Sequence, residues 1–204
     1  MWAASRRKAS GILLAIIMAA IIYVTFTIIS QPTGSWETPA LASGVPLPDF
    51  TLTDQHGRRF SLSESRGKVV LLFFGYTNCP DVCPMVLSKY GELEGRLGSR
   101  VGDVVMLLVT TDPARDDAST LREYVSRYGD HIIALTGDWE EMVPIWARYH
   151  VRDVGDGLEK PRDNYYIAHS AVVYVADRDL VLRHILTPEM PTSRYLDTIL
   201  KLLQ

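Results

Sequence analysis

Two uninterrupted apolar runs constrain this chain most. Lys68 to Gly75 reads KVVLLFFG and Val104 to Thr110 reads VVMLLVT. Neither alternates with polar residues, so neither suits a sheet with one wet face. Each is predicted to be a strand covered on both sides. Helical patterns lie between and after them. Pro84 to Leu97 places Val86, Leu87, Tyr90, Leu93 and Leu97 close to a 3.6-residue period, with Pro84 suited to a first turn. Further helices are predicted over Asp117 to Tyr128, Trp139 to Tyr149 and Thr192 to Leu203, and Pro144 should kink the second of these or move its start. Ile132 to Leu135 is a weaker third strand. Pro48 to Leu62 reads as a short hairpin around His56-Gly57. Ala171 to Ala176 and Leu180 to Ile185 flank Asp177-Arg178-Asp179 as a closing hairpin. The order hairpin, β, α, β, α, β, α, β, β, α gives an α/β domain with a mixed sheet flanked by helices. Val151 to Ala168 is a polar, turn-rich stretch longer than an ordinary connector, of the kind that is often functional. No internal repeat is evident.

The other constraint is N-terminal. Ala9 to Trp36 carries no charge, and Gly11 to Ile29 is nearly all apolar. As a helix that run spans roughly 28 Å at about 1.5 Å per residue, the hydrocarbon thickness of a bilayer. Arg6, Arg7 and Lys8 precede it and only Glu37 follows closely, which puts residues 1–10 in the cytoplasm and the rest of the chain outside. A single-pass anchor over 11–29 is therefore expected. A cleavable signal would have a shorter core and a small-residue cleavage site, and Arg6-Arg7 is a weak twin-arginine signal. Residues 30–44 open a Pro/Gly/Ser/Thr-rich stretch that reads as a tether, and the folded domain is expected over 45–204.

A 47% apolar, 22% charged chain of 204 residues with two cysteines is not collagenous, disulfide-dense or disordered. At a net charge of −3, with no dominant Lys/Arg patch in the folded part, a nucleic-acid partner is not expected.

The chemistry points to the two cysteines. Cys79 and Cys83 lie in Tyr76-Thr77-Asn78-Cys79-Pro80-Asp81-Val82-Cys83-Pro84, between a predicted strand and a predicted helix. Such a turn sits at the carboxyl edge of a sheet, where α/β folds build sites. Helix N–H groups and the helix dipole favour thiolates there, so acidic, reactive thiols are expected. The i, i+4 spacing allows a disulfide or a shared metal. A structural disulfide is the plain alternative in an exported domain, but so small a loop gains little from being bridged. His169 is the best third ligand, at the end of the polar stretch and just before a strand. Two thiolates and an imidazole suit copper, and zinc accepts them with a fourth ligand. Alone, His169 would read as a surface or hydrogen-bonded histidine. His56, His131, His150 and His184 rank lower. Met85 could offer a thioether, although its spacing also fits ordinary helix packing. Asp112 and Asp116 read as caps of the following helix.

These residues resemble the Sco/SenC family. The resemblance runs from about Pro48 to Leu203. It rests on Leu52-Thr53-Asp54-Gln55-His56-Gly57, on Phe74-Gly75 continuing through Cys83-Pro84, on Thr111-Asp112-Pro113-Ala114-Arg115-Asp116 and on His169-Ser170. It implies a thioredoxin-like fold, copper held by Cys79, Cys83 and His169, and delivery to the CuA centre of cytochrome c oxidase subunit II. It also implies that Asp81 tunes the site. The chain departs from the family pattern at Ala168, where many members carry Asp, and at Asp177-Arg178-Asp179, where a glycine is usual.

Two functions from different classes follow. A membrane-tethered copper chaperone uses all three ligands. A thiol–disulfide oxidoreductase, which would reduce the oxidase copper-site cysteines, needs only Cys79 and Cys83. A thiol peroxidase with Cys83 as resolver fits the Cys-Pro-Asp-Val-Cys loop less well, and nothing in the sequence argues specifically for a copper or redox sensor.

Overall fold

The structure, a computed structural model, describes residues 43–151 and 171–204 together with Met18, Ala20 and Tyr23. The chain divides into two units, Met1–Thr38 and Pro39–Gln204. In the first, the three described residues are helical and exposed. The rest of the expected anchor over 11–29, the tether up to residue 42, the polar stretch from residue 152 and His169 lie outside the described residues. No helix among the described residues is long and apolar enough to cross a membrane.

The second unit is built on a mixed seven-stranded sheet with helices on both faces, as the strand and helix patterns predict. In chain order its elements are β1 (Thr51–Asp54), β2 (Arg59–Ser61), β3 (Val69–Gly75), α1 (Val82–Leu97), β4 (Val104–Thr110), α2 (Ala118–Val125), β5 (Ile132–Thr136), α3 (Trp139–Arg148), β6 (Val173–Ala176), β7 (Leu182–Leu186) and α4 (Thr192–Leu202). The spatial order is β2-β1-β5-β4-β3-β6-β7. β3, β4 and β5 are parallel, and β1 and β6 run antiparallel to their neighbours β5 and β3.

The two apolar runs form the parallel centre. Every residue of β3 and β4 is buried. Val69, Leu71 and Phe73 pack with α1, α2 and α4, whereas Val70, Leu72 and Phe74 pack with α3 and the N-terminal hairpin. Two covered faces are why these strands need apolar residues at every position. At about 1.5–3 kcal/mol for each fully buried large apolar side chain, this centre carries much of the driving force for folding.

Boundaries differ from the pattern in informative places. α1 begins at Val82, so Pro84 is its third residue, where the missing N–H would have had no helical acceptor. α3 begins at Trp139 as expected and keeps Pro144 inside it. Its start is fixed by a reciprocal cap in which Asp138 N–H donates to the Glu141 carboxylate at 3.0 Å. The closing hairpin starts its second strand at Leu182 because Leu180 adopts a left-handed backbone, φ 62°. The turn manages without glycine because the Asp177 carboxylate accepts from Asp179 N–H and Val181 N–H, each at 3.0 Å, and from Arg183 Nε at 2.6 Å. The folded region reaches back to residue 43. Gly44 N–H donates to Leu182 O, and Leu182 N–H donates to Val45 O.

Candidate metal centre

Parallel registry places Gly75, the last residue of β3, beside Thr110, the last residue of β4. Both strands therefore release their loops at one carboxyl edge of the sheet. The first loop carries the cysteines. It turns over Tyr76–Cys79, with Cys79 N–H donating to Tyr76 O at 3.2 Å, and enters α1 with Asp81 as the cap residue. Cys83 is then the second residue of the helix. Asp81 is exposed, and its side chain makes no capping hydrogen bond.

Both cysteines are free thiols and both are buried, Cys79 at 7% exposure and Cys83 at 0%. They belong to the core cluster beneath α1. Cys83 sits directly over Gly75, where an added Cβ would come within 2.7 Å of its sulfur. The two thiols are hydrogen-bonded to each other, and this bond is the largest reason that the Cys83 thiol is held well above its ordinary range. Burial adds to the effect, and the Tyr76 backbone N–H opposes it. This corrects the expectation of an acidic thiol at Cys83. The helix start does offer a favourable dipole, but Cys83 points into the core and keeps its proton in a bond to Cys79. The sulfur pair is also felt by Tyr124 on α2, a buried phenol whose ionisation is suppressed by burial first, then by Tyr128 and by charge on Cys83 and Cys79.

The second loop supplies what the sequence reading missed. Asp112 and Asp116 do not cap α2. That role falls to Asp117, whose carboxylate accepts from Thr120 N–H at 2.7 Å. Asp116 is fully buried and turns back to the cysteine loop. It accepts from Thr77 N–H at 3.1 Å, from Thr77 Oγ1 at 2.5 Å and from Thr110 Oγ1 at 2.6 Å. Burial raises its pKa, and these donors counter that shift. Asp112, also buried, pairs with Arg115, whose guanidinium lies 6.0 Å from the centre of the Tyr76 ring. Thr111 N–H donates to Gly75 O at 2.8 Å, and Trp146 Nε1 donates to Thr110 O at 3.1 Å. The Thr-Asp-Pro-Ala-Arg-Asp loop is thus a buried platform under the cysteine turn.

Met85 is 37% exposed on α1 and does not belong to the core. His131 faces Glu94, far from the cysteines in sequence, and His184 is exposed on β7. Among the described residues no group of three or more His, Cys, Asp or Glu is placed to hold a metal ion. The described part of the site is therefore a thiol pair, which is a two-sulfur donor set for a soft metal. His169, the expected third ligand, lies outside the described residues. One feature bears on it nonetheless. β6 opens at Val173 opposite Phe73, in antiparallel register, so the chain enters β6 from the same sheet edge at which the cysteine loop leaves β3.

The family described as SCO1/SenC matches residues 43–204. Among curated relatives, protein sco1 of Schizosaccharomyces pombe is 35% identical over 130 residues, which are 63% of this chain and 49% of that protein. A SCO2-like protein of Rickettsia prowazekii is 32% identical over 130 residues, 64% of this chain and 63% of that protein. The matched stretch is thus less than two thirds of either relative. Among solved structures, yeast Sco1 with copper bound superposes with a TM-score of 0.68 at 31% identity, over 77% of this chain and 87% of that one. Copper-bound ScoI of Bradyrhizobium japonicum gives 0.68 at 29% identity, over 77% and 98%. The expected thioredoxin-like architecture is the one these structures share with the described unit. Because the match runs across the entire sheet and the helices that cover it, the chain belongs to the SCO1/SenC family.

Proposed function

We propose that this chain is a membrane-anchored copper chaperone, holding copper through Cys79, Cys83 and His169 and passing it on for assembly of the CuA centre in subunit II of cytochrome c oxidase. The observation that carries the reading is the pair of unbridged cysteines, buried at the carboxyl edge of β3 and in hydrogen-bond contact with each other. Their donor set suits a soft cation, and two structural relatives are described as copper-bound. The entry of the chain into β6 at the same edge supports His169 as the third ligand. Copper here is cargo. Loading it requires both thiols to give up their protons, so uptake is coupled to pH and to the redox state of the pair. The anchor over 11–29 would hold the domain on the extracytoplasmic face.

A second reading is favoured by the same hydrogen bond. In a thiol–disulfide oxidoreductase one sulfur attacks a partner's disulfide, forming a mixed disulfide and releasing one partner thiolate. The other then attacks the first, freeing the partner's second thiol and leaving Cys79–Cys83 oxidised. A fully buried, proton-holding Cys83 and a marginally exposed Cys79 fit the resolving and attacking roles respectively. Copper titration of the reduced, solubilised full-length chain separates the readings. One tight copper per chain, lost in Cys79→Ala, Cys83→Ala and His169→Ala alike, is the chaperone result. No binding by the reduced wild type would discard it. A His169→Ala chain that loses copper but still reduces a target disulfide would show that both activities reside in one site.

A further inference from the structure

The Asp116 carboxylate is fully buried, lies outside the Cys-Pro-Asp-Val-Cys loop and has no part in the ligand set. It spends its hydrogen bonds on the turn that carries Cys79. Two of its three donors are the backbone N–H and hydroxyl of Thr77, two residues before Cys79, and the third is Thr110 at the end of the neighbouring strand. All three donors are neutral. Among the described residues no cation pairs with Asp116, and Arg115 next to it is engaged by Asp112. A buried carboxylate without a cation is expensive to keep, so an arrangement that keeps one usually uses it for position.

What it positions follows from the connectivity. Cys83 needs no such help, because it lies on a helix and is wedged over Gly75. Cys79 lies before the helix, in a turn closed by one backbone bond to Tyr76. The turn is restrained as well by the pair of bonds from Thr77 to Asp116. These tie it to β4 through Thr110, which is itself fully buried.

We infer that Asp116 is a positioning residue for the sulfur pair: acting through Thr77, it fixes Cys79 at the separation from Cys83 that a shared metal, or a disulfide, requires. The inference rests on the copper reading for its metal arm and on the thiol pair alone for its redox arm. A looser turn has two consequences. The two-sulfur site is no longer pre-formed, so metal retention falls. The balance between dithiol and disulfide also moves, because closing the bridge then has to order the turn.

The test uses the full-length chain and four variants, Thr77→Val, Thr77→Ser, Asp116→Asn and Cys79→Ala. Two quantities are read: Cu(I) retention against a competing chelator, and the reduction potential of the Cys79–Cys83 couple in glutathione buffers without metal. Thr77→Val keeps the shape and the carboxylate charge but removes the hydroxyl donor. It should weaken retention about tenfold and displace the potential. Thr77→Ser restores the donor and should bring both values back toward wild type. Asp116→Asn should move both in the direction of Thr77→Val and further, and Cys79→Ala sets the floor for retention. Wild-type retention and potential in Thr77→Val would overturn the assignment. So would a serine variant as impaired as the valine one, or a shift in Asp116→Asn with none in Thr77→Val, which would make the effect one of charge rather than position. If the wild type takes up no copper, the copper reading fails and the potential still decides the role of Asp116. If Asp116→Asn does not fold, the Thr77 pair decides it.

Discussion

Alanine at Gly75 is the smallest change that reaches both the core and the sulfur pair. Gly75 does not need glycine's backbone freedom, since its φ lies outside the left-handed region. The constraint is contact. An added Cβ would come to 2.7 Å from Cys83 Sγ, 2.7 Å from the Phe73 ring and 3.3 Å from a Leu108 methyl. Ordinary carbon–carbon contacts sit at about 3.5–4.0 Å, so two neighbours must each retreat by roughly 1 Å. Neither has room. Phe73 and Leu108 are fully buried between β3, β4 and α1, and Cys83 is tied to the first turn of its helix. Overpacking of this kind costs about 1–3 kcal/mol. Taking 2 kcal/mol as the centre, Tm falls by roughly 4–8 °C for a domain of this size. Metal binding should suffer more than stability does, because metal–sulfur distances tolerate about 0.2 Å and the sulfur is asked to move several times that. The assay is a thermal melt and a copper titration of Gly75→Ala, Cys83→Ala and the double variant. Truncating Cys83 removes one of the two 2.7 Å conflicts, so the double variant should recover about half of the loss caused by Gly75→Ala instead of adding to it. A Gly75→Ala chain that melts and binds copper like wild type would refute the contact argument. Strict additivity in the double variant would refute the claim that the sulfur is what the new methyl strikes.

Three further outcomes can be measured directly. Alkylation of the reduced protein with iodoacetamide at pH 8, read by peptide mass spectrometry, should label Cys79 well before Cys83, because Cys83 is fully buried and its thiol is pushed up by the bond to Cys79. Equal labelling rates would contradict the asymmetry. Asp117→Ala should lower stability in urea at neutral pH and do so much less at pH 2. The carboxylate is depressed from 3.8 to about 2 in the folded chain by its bond from Thr120 N–H first, so its stabilisation is complete above the unfolded value and disappears as pH falls through the folded one. A difference between the two chains that persists unchanged to pH 2 would show that the cap is not acting as a carboxylate. Gly91→Ala should cost more than about 3 kcal/mol, because the added methyl would lie 1.9 Å from the Tyr128 carbonyl oxygen, a backbone atom that cannot turn aside. Near-wild-type urea midpoints would place the loop after α2 elsewhere.

The fold was legible wherever burial dictates composition. β3 and β4 must be apolar throughout because helices cover both faces, and their limits could be read to within a residue. Boundaries set by special backbone or tertiary contact could not. Leu180 looks like the first residue of a strand, yet it turns left-handed under the Asp177 carboxylate and delays β7 to Leu182. Pro84 looks like a helix start, yet it is the third residue, tolerated within the first turn because its missing N–H has no helical acceptor there. The site divides in the same way. Cys79 and Cys83 announce themselves by spacing. Asp112, Asp116 and Asp117 lie within six positions of one another, and a local reading gives the capping role to the first two. Only Asp117 has it. Asp116 finds its partner 39 residues away at Thr77, through the side-by-side ends of two parallel strands, and no periodicity encodes that pairing. The acidity expected of Cys83 failed for a related reason. Position in a helix fixes the dipole but not where the side chain points, and Cys83 points into the core.

That direction matters for how a metal could leave. The two sulfurs are not equivalent. Cys83 is fully buried beneath α1, over Gly75 and inside the core cluster, and presents no exposed surface to an incoming ligand. Cys79 is on a turn at the rim, reached from Asn78 and Pro80, which are both exposed. Associative ligand exchange needs the incoming donor to approach the metal while the outgoing donor is still attached, and among the described residues it is the Cys79 side that offers that approach. Exchange would therefore begin at Cys79 and end at Cys83, with the buried sulfur as the last to let go. The same asymmetry orders the redox alternative, in which the accessible sulfur attacks and the buried one resolves. The two candidate functions thus make the same demand on the structure: a fixed inner sulfur and a positioned outer one. They differ only in whether an imidazole completes the set, which is why His169→Ala distinguishes them and no cysteine variant can.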